Sequence, residues 1–215
     1  KALARLSANY YNNPSNELKI IGVTGTNGKT TVTFLISNLL QKLGYQTAII
    51  GTTGIYIGKE KLDATHTTPD PISMNKVLRE VADRGIEYVI MEVSSHALEQ
   101  NRADYIDFDA AIFTNITHDH LDYHRTFEAY SEAKKLLFDN LKSDAIAVVN
   151  VDDAGYKEMV SDTEAKVIKV GWDVDADYQI MNEEFDHTGS AFEIEMNSLK
   201  VGVNSPLVAQ FNIIN

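Results

Sequence analysis

The sequence predicts an α/β protein: a mostly parallel sheet flanked by helices, with a small antiparallel β addition near the C-terminus. Three observations lead there. Short apolar runs alternate with helical stretches from residue 20 to about 150. A glycine-bearing turn joins the first apolar run to the first amphipathic stretch. After about residue 165 the pattern changes to short segments that alternate or break early.

The elements follow in order. Ile20, Ile21 and Val23 make a first strand that runs into Gly25–Thr31. Residues 31–43 place Val32, Leu35, Ile36, Leu39, Leu40 and Leu43 on one helical face, with Gly44 as the stop. Gln46–Ile50 is a second strand, ending at Gly51-Thr52-Thr53-Gly54. Pro71 opens a helix whose apolar face is Met74, Val77, Leu78 and Val81; it closes at Gly85, before the strand Tyr88–Met91. Strands at Ala110–Phe113 and Ala145–Val149 enclose a helix over about 126–141. Strands joined through helices pair in parallel and are covered on both faces. Tyr178–Met181, Ala191–Met196 and Leu199–Val203, with a turn at His187-Thr188-Gly189, read as the antiparallel addition. In parallel sheets ligands gather at the carboxyl ends of the strands. The chemistry-bearing residues fall at those ends: Gly25–Thr31, Glu92–His96, Thr114–His120 and Asn150–Asp153.

Composition removes several functional classes. The chain has 215 residues, 44% hydrophobic and 23% charged, with a net charge of −12 and no cysteine. A polyanion needs clustered Lys and Arg, so a nucleic-acid partner is not expected. No apolar run approaches the ~18 residues that span a bilayer, so no membrane role is expected. Thiolate catalysis, disulfides and cysteine metal sites are excluded. The first residues lack the apolar centre of a signal peptide, and a cytoplasmic monomer is the expectation.

The sharpest chemistry lies in Gly25-Thr26-Asn27-Gly28-Lys29-Thr30-Thr31. Backbone N–H groups at a helix start point at an anion, Gly28 allows close approach, Lys29 supplies charge and Thr30 offers a hydroxyl to Mg2+. The common phosphate-loop spacing wants a glycine five residues before the glycine of the Gly-Lys pair; that position is Val23, and the first loop glycine is Gly25. Glu92, at a neighbouring strand end, is where an oxygen ligand for the same ion would sit. His118, Asp119, His120, Asp122 and His124 crowd one segment. Two histidines flanking an aspartate are compatible with zinc, but not with the i, i+4 helical site; hydrogen-bonding roles are the plainer reading for each. On the helix at 126–141, Phe127, Tyr130, Leu137, Phe138 and Leu141 form an apolar stripe with Lys134 near its centre and Lys135 well off it. An inward lysine is costly unless paired, neutralised or modified; a snorkelling side chain is the alternative.

Together GTNGKTT at 25–31, TTPD at 67–70, EVSSHALEQNR at 92–102, TNITHDHLDYH at 114–124 and EAKKLLF at 132–138 resemble the Mur ligase family. The Ser-Ser-His segment with Gln100 and Arg102 points to its MurE branch. The resemblance implies the P-loop NTPase-like central domain of those ligases over residues 15–215, with 1–14 as linker from a preceding domain and 164–205 as a β-rich subregion. A domain that grips the UDP end and a C-terminal domain that brings the amino acid are expected to lie outside this chain.

The implied reaction is ATP-dependent amide formation in peptidoglycan precursor synthesis: a diamino acid is added to UDP-MurNAc-L-Ala-D-Glu through an acyl phosphate. The implied cofactors are ATP and Mg2+, and the partners are the UDP-MurNAc-dipeptide and the diamino acid. Gly25, Thr26, Asn27, Gly28, Lys29, Thr30, Thr31 and Asn115 would hold ATP. Thr30 and Glu92 would take one Mg2+, and His120 and a carbamylated Lys134 a second. Lys29, His120 and Lys134 would be catalytic. Thr67, Thr68, Ser94, Gln100 and Arg102 would hold the UDP-muramoyl dipeptide. His66 stands where relatives often carry asparagine and is left out of that set. A nucleotide-binding module without turnover, a folylpolyglutamate synthetase-like ligase and a kinase sharing the loop are the rival readings; the short loop and the two histidine-bearing segments disfavour the kinase.

Overall fold

The computed structural model describes residues 1–63, 66–119 and 121–214, with the backbone alone for Leu121. The strands are β1 (Lys19–Thr24), β2 (Thr47–Gly51), β3 (Gly54–Ile57), β4 (Glu60–Leu62), β5 (Tyr88–Glu92), β6 (Ala110–Phe113), β7 (Ile146–Asn150), β8 (Lys166–Gly171), β9 (Tyr178–Phe185), β10 (Ser190–Met196) and β11 (Leu199–Ser205). The helices are α1 (Ala2–Tyr10), α2 (Lys29–Lys42), α3 (Pro71–Asp83), α4 (Ser95–Glu99), α5 (Leu121–His124), α6 (Phe127–Asp139), α7 (Tyr156–Met159) and α8 (Gln210–Ile214). One sheet runs in the order β11-β10-β9-β8-β7-β6-β1-β5-β2-β3-β4. Pairing is parallel from β2 through β5, β1, β6, β7 and β8 to β9. The α/β class and the mostly parallel sheet are as the sequence predicts.

The antiparallel addition is β9–β11, and it continues the main sheet rather than forming a separate layer. The segment at 166–171 pairs in parallel with β7, so the change of direction comes only at β10. The opposite edge carries a hairpin, β3–β4, that the sequence reading passed over. Its signal was short: Gly54 and Gly58 both have positive φ and bracket a four-residue strand.

Side chains alternate across the central strands with period two. Ile20 of β1 and Val89 and Met91 of β5 enter the larger core, shared with Met74, Leu78, Leu98, Tyr130, Leu137 and Phe138 of α3, α4 and α6. Val23 and Ile90 point the other way, under Val32 of α2. Thinner cover on that face explains one departure. Of the six residues assigned to the α2 stripe, Val32 is buried and Ile36 and Leu40 pack against the smaller core, whereas Leu35, Leu39 and Leu43 are exposed. A helix lying over three strands needs only a narrow apolar contact, so the sequence stripe was too wide.

Local chemistry sets the helix starts. Asp70 caps α3, accepting from the N–H groups of Ile72 (2.9 Å) and Ser73 (3.2 Å), ahead of Pro71 at the first helical position. Ser94 caps α4 through Ala97 N–H (3.2 Å), and Thr126 caps α6 through Ala129 N–H (3.1 Å). α2 differs. It begins at Lys29, two residues before the predicted start, and its cap is Gly28 in the left-handed region, with no side chain on its N-terminal N–H groups.

Candidate functional site

The order β6-β1-β5 places three strand ends side by side. Val23 of β1 is level with Glu92 of β5, and Thr24 with Phe113 of β6. The loop Gly25–Gly28 therefore leaves the sheet between an acid on one side and Thr114-Asn115 on the other.

The β6 side clamps the loop. Thr26 N–H donates to Asn115 O (2.8 Å) and Asn27 N–H to Asn115 Oδ1 (3.0 Å), while Asn115 Nδ2 and Thr114 Oγ1 donate to Asn27 O (3.1 and 2.6 Å). Thr117 N–H donates to Thr26 Oγ1 (2.9 Å), which also lies 3.1 Å from the Tyr130 hydroxyl. Gly25 has φ +146°, and a Cβ there would collide with Thr114 Oγ1, so this approach is open to glycine alone. Asn115 thus holds the loop's shape.

Thr30 and Glu92 meet on the β5 side. Thr30 Oγ1 donates to Glu92 Oε1 at 2.9 Å; Thr52 adds its N–H to Oε1 and its hydroxyl to Oε2, both at 3.0 Å. Glu92 is 1% exposed. It shares the sheet face of Ile90, two residues earlier, and so points toward the start of α2. A hydroxyl and a carboxylate within hydrogen-bond distance, beside uncapped helix N–H groups, form a hard-oxygen donor set that fits Mg2+. That ion commonly takes one or two protein ligands and fills its shell with phosphate oxygens and water.

Two lysines enter the loop. Lys29 Nζ donates to Gly25 O and Thr26 O, both at 2.8 Å. Lys134, buried as the α6 stripe predicted, donates to the same Gly25 O at 2.8 Å and lies 4.5 Å from the Tyr130 ring centroid. Burial lowers the pKa of Lys29, against the charges of Glu92 and Asp119. Lys134 is held well below the ordinary lysine value, first by burial and then by the charge of Lys29, with Asp119 opposing. Lys135, off the stripe, pairs instead with Asp139 and Asp162.

The remaining expected residues form a second cluster next to Glu92. Thr67 Oγ1 lies 3.0 Å from Thr52 Oγ1. Thr68 is fully buried, donating to Glu92 O (2.9 Å) and accepting from Ser94 N–H (3.1 Å), so its hydroxyl shapes the wall rather than lining it. Arg102 donates to Thr68 O (3.3 Å) and to Gln100 Oε1, and Gln100 Nε2 donates to the Tyr123 hydroxyl (2.9 Å). Thr31 lies in the first turn of α2. His120 lies outside the described residues.

The zinc alternative finds no support. His118 packs on Phe127 and His124 bonds to Ser95, and among the described residues no group of three or more His, Asp or Glu is set to hold a metal. Thr52 and Tyr130 were missed as site residues, and Thr114 and Tyr123 fell in the 114–124 motif without a role of their own. Thr52 was findable, because it directly follows a parallel strand's carboxyl end; Tyr130 read as an ordinary apolar-stripe residue.

Residues 23–215 match the family model of the Mur ligase middle domain. The chain belongs to the Mur ligase family. Curated Mur ligase relatives include the UDP-N-acetylmuramoyl-L-alanyl-D-glutamate–2,6-diaminopimelate ligases of Clostridium perfringens (40% identity over 221 residues, all of this chain and 45% of the relative) and Cytophaga hutchinsonii (41% over 215 residues, all of this chain and 43% of the relative). A solved ligase of the same name superposes with a TM-score of 0.88 at 34% identity, over 99% of this chain and 45% of that one. The folylpolyglutamate synthase of Mycobacterium tuberculosis, complexed with ADP and AMPPCP, shares the fold at 16% identity and a TM-score of 0.70. The chain spans just under half the length of the curated relatives it matches. Among the described residues no helix is long and apolar enough to cross a membrane.

Proposed function

We propose that this chain is the ATP-binding centre of a cytoplasmic Mur ligase of the MurE type. In the whole protein it would join a diamino acid to UDP-MurNAc-L-Ala-D-Glu. The D-glutamyl carboxylate takes the γ-phosphoryl group of ATP and ADP leaves; the amine then attacks the acyl carbon and phosphate leaves, giving the amide.

The observation that carries this reading is Lys134 buried against Gly25 O within a shortened phosphate loop. A plain nucleotide-binding module has no use for a second lysine there. The neutral amine is the form that adds CO2, burial favours that form of Lys134, and the carbamate so made is an anionic oxygen ligand. Two buried hydroxyls support that change: Thr24, one residue before Gly25, and Ser131, one helical turn before Lys134, have no hydrogen-bond partner. Buried hydroxyls rarely stay unpaired, and a carbamate supplies acceptors.

The residues divide the work. The α2 N–H groups and Lys29 take the phosphates, with Lys29 leaving its loop carbonyls to do so. Thr30 and Glu92 would hold one Mg2+, and Lys134 as its carbamate, with His120, a second; ions held there would supply charge neutralisation for the transferred phosphoryl group. Arg102 and Gln100 orient the dipeptide's carboxylates. The gain comes from positioning and charge neutralisation.

The test is phosphate release by the full-length protein with Mg2+, ATP, UDP-MurNAc-L-Ala-D-Glu and a diamino acid. Free phosphate and the amide product should appear in equal amounts, only when both substrates are present. Phosphate recovered on a phosphorylated product, or release independent of the dipeptide, would overturn the reading.

A further inference from the structure

His124 is a buried histidine that the reaction above does not use, and α4 and α6 close on it. Its Nδ1 lies 3.2 Å from Glu99 Oε2 and its Nε2 2.9 Å from Ser95 Oγ. Its ring centroid lies 5.3 Å from those of Tyr130 and His96 and 4.9 Å from that of Tyr123. His124 is 6% exposed and Ser95 1%. A carboxylate at Nδ1 calls for the proton there, which leaves Nε2 of the neutral ring to accept the Ser95 hydroxyl.

The connectivity Glu99–His124–Ser95 is that of a nucleophilic triad. Burial decides against that use, since no substrate reaches a hydroxyl sealed to 1% exposure. The arrangement instead works as a brace. Ser95 and Glu99 are the first and last residues of α4, so one imidazole is fastened to both ends of that helix. α4 begins three residues after Glu92, and Ser94 is its cap. On the other side, His124 ends α5 and stands two residues before Thr126, the cap of α6, whose Tyr130 reaches Thr26 and whose Lys134 reaches Gly25. The segment between Asn115 and His124 carries Asp119 and His120.

We infer that His124 is a positioning residue of the ligase: by bridging Ser95 and Glu99 to the start of α6, it sets the spacing between the Glu92 metal site and the Lys134 side of the phosphate loop. The inference rests on the proposed function and adds a residue to it. Misplacing one ligand set relative to the other by about 1 Å costs on the order of a hundredfold in rate, so loosening the brace lowers turnover before it lowers nucleotide affinity. The Mg2+ requirement moves with it, because the two halves of the metal arrangement no longer meet at a fixed distance.

The experiment uses the full-length protein and compares wild type with Glu99→Gln, His124→Gln, His124→Asn and Ser95→Ala. Steady-state kinetics are followed against ATP and against Mg2+, with a melting temperature for each variant. Glu99 is half exposed, so Glu99→Gln keeps the fold even if a His124 variant does not. The expected result is a fall in kcat of about tenfold or more for Ser95→Ala and His124→Asn, with a higher half-saturating Mg2+ and an ATP KM within about twofold. His124→Gln, whose amide reaches the Nε2 position, recovers more of kcat than His124→Asn. Glu99→Gln gives the smallest fall, in the same direction. Unchanged kcat and Mg2+ dependence in Glu99→Gln and in the folded His124 variants would overturn the inference, as would kcat losses that follow the melting temperature alone. Failure of the wild type to ligate removes the proposed function itself; normal wild-type ligation with indifferent variants removes only the brace.

Discussion

Lys29 and Lys134 donate to one and the same oxygen, the carbonyl of Gly25, each at 2.8 Å. Two ammonium groups would repel across that oxygen. Both pKa values are lowered, each chiefly by burial, and that of Lys134 further by the Lys29 charge. The unfolded chain therefore binds more protons than the folded one between the folded values and the ordinary lysine value of 10.5. Stability rises with pH through that window and is lost as pH falls through it. In CO2-depleted buffer, the melting temperature should climb as pH rises toward the ordinary lysine value of 10.5, and Lys134→Met should flatten the climb. Parallel profiles for the two proteins would contradict the shared-carbonyl electrostatics.

Lys134 also supplies a chemical test. Lys134→Ala in the full-length protein should lose ligation by about a hundredfold or more, and a short carboxylate such as acetate should restore part of it by occupying the carbamate's place. Wild-type protein equilibrated with 13C-bicarbonate should show a carbamate carbon resonance that the variant lacks. Full activity in the variant would sink the carbamate assignment.

Gly51 makes room for the Glu92 carboxylate. It ends β2 next to Glu92, and a Cβ built there would collide with Glu92 Oε1. Backbone strain plays no part at this position. Gly51→Ala should push the carboxylate off Thr30 and raise the Mg2+ concentration for half-maximal activity about tenfold, while the protein stays folded. An unchanged Mg2+ titration would show that the carboxylate has another seat.

How much of this was legible in the sequence depended on the range of the interaction. The phosphate loop, the Glu92 strand end and the inward Lys134 were all readable, because each is a local pattern: a turn motif, a period of two and a period of 3.6. The Asn115–Asn27 exchange and the Tyr130–Thr26 contact were not. They join residues 88 and 104 positions apart, and only strand order brings them together. The α2 stripe failed for a different reason: periodicity shows which residues share a face, not how much of that face the sheet covers. The β3–β4 hairpin is too short for periodicity to register.

Asp109 anchors the strand that leads into the loop. Its Oδ2 accepts Ile20 N–H at 2.8 Å, its Oδ1 accepts Lys19 Nζ at 2.9 Å, and its own N–H donates to Ile20 O at 2.9 Å. The lysine pair is exposed and contributes little. The N–H bond matters more, because Ile20 is fully buried and its donor would lose its partner. Asp109→Ala should destabilise the protein by about 1–3 kcal/mol, and Lys19→Ala should be close to neutral. Chemical denaturation of both variants checks the ranking; a reversed order would overturn it.

The strand order also sets a timetable. β1 lies between β5 and β6, so neither of its neighbours in the sheet is its neighbour in the chain. Of these pieces the phosphate loop leaves the ribosome first during synthesis, Glu92 follows 62 residues after Thr30, and the Asn115 clamp and Lys134 come later still. Until residues 114–117 have emerged Gly25–Thr31 lacks its clamp, and until α6 has emerged it lacks its second lysine. The loop thus reaches its clamped, two-lysine arrangement only when the later half of the sheet has docked on the earlier one.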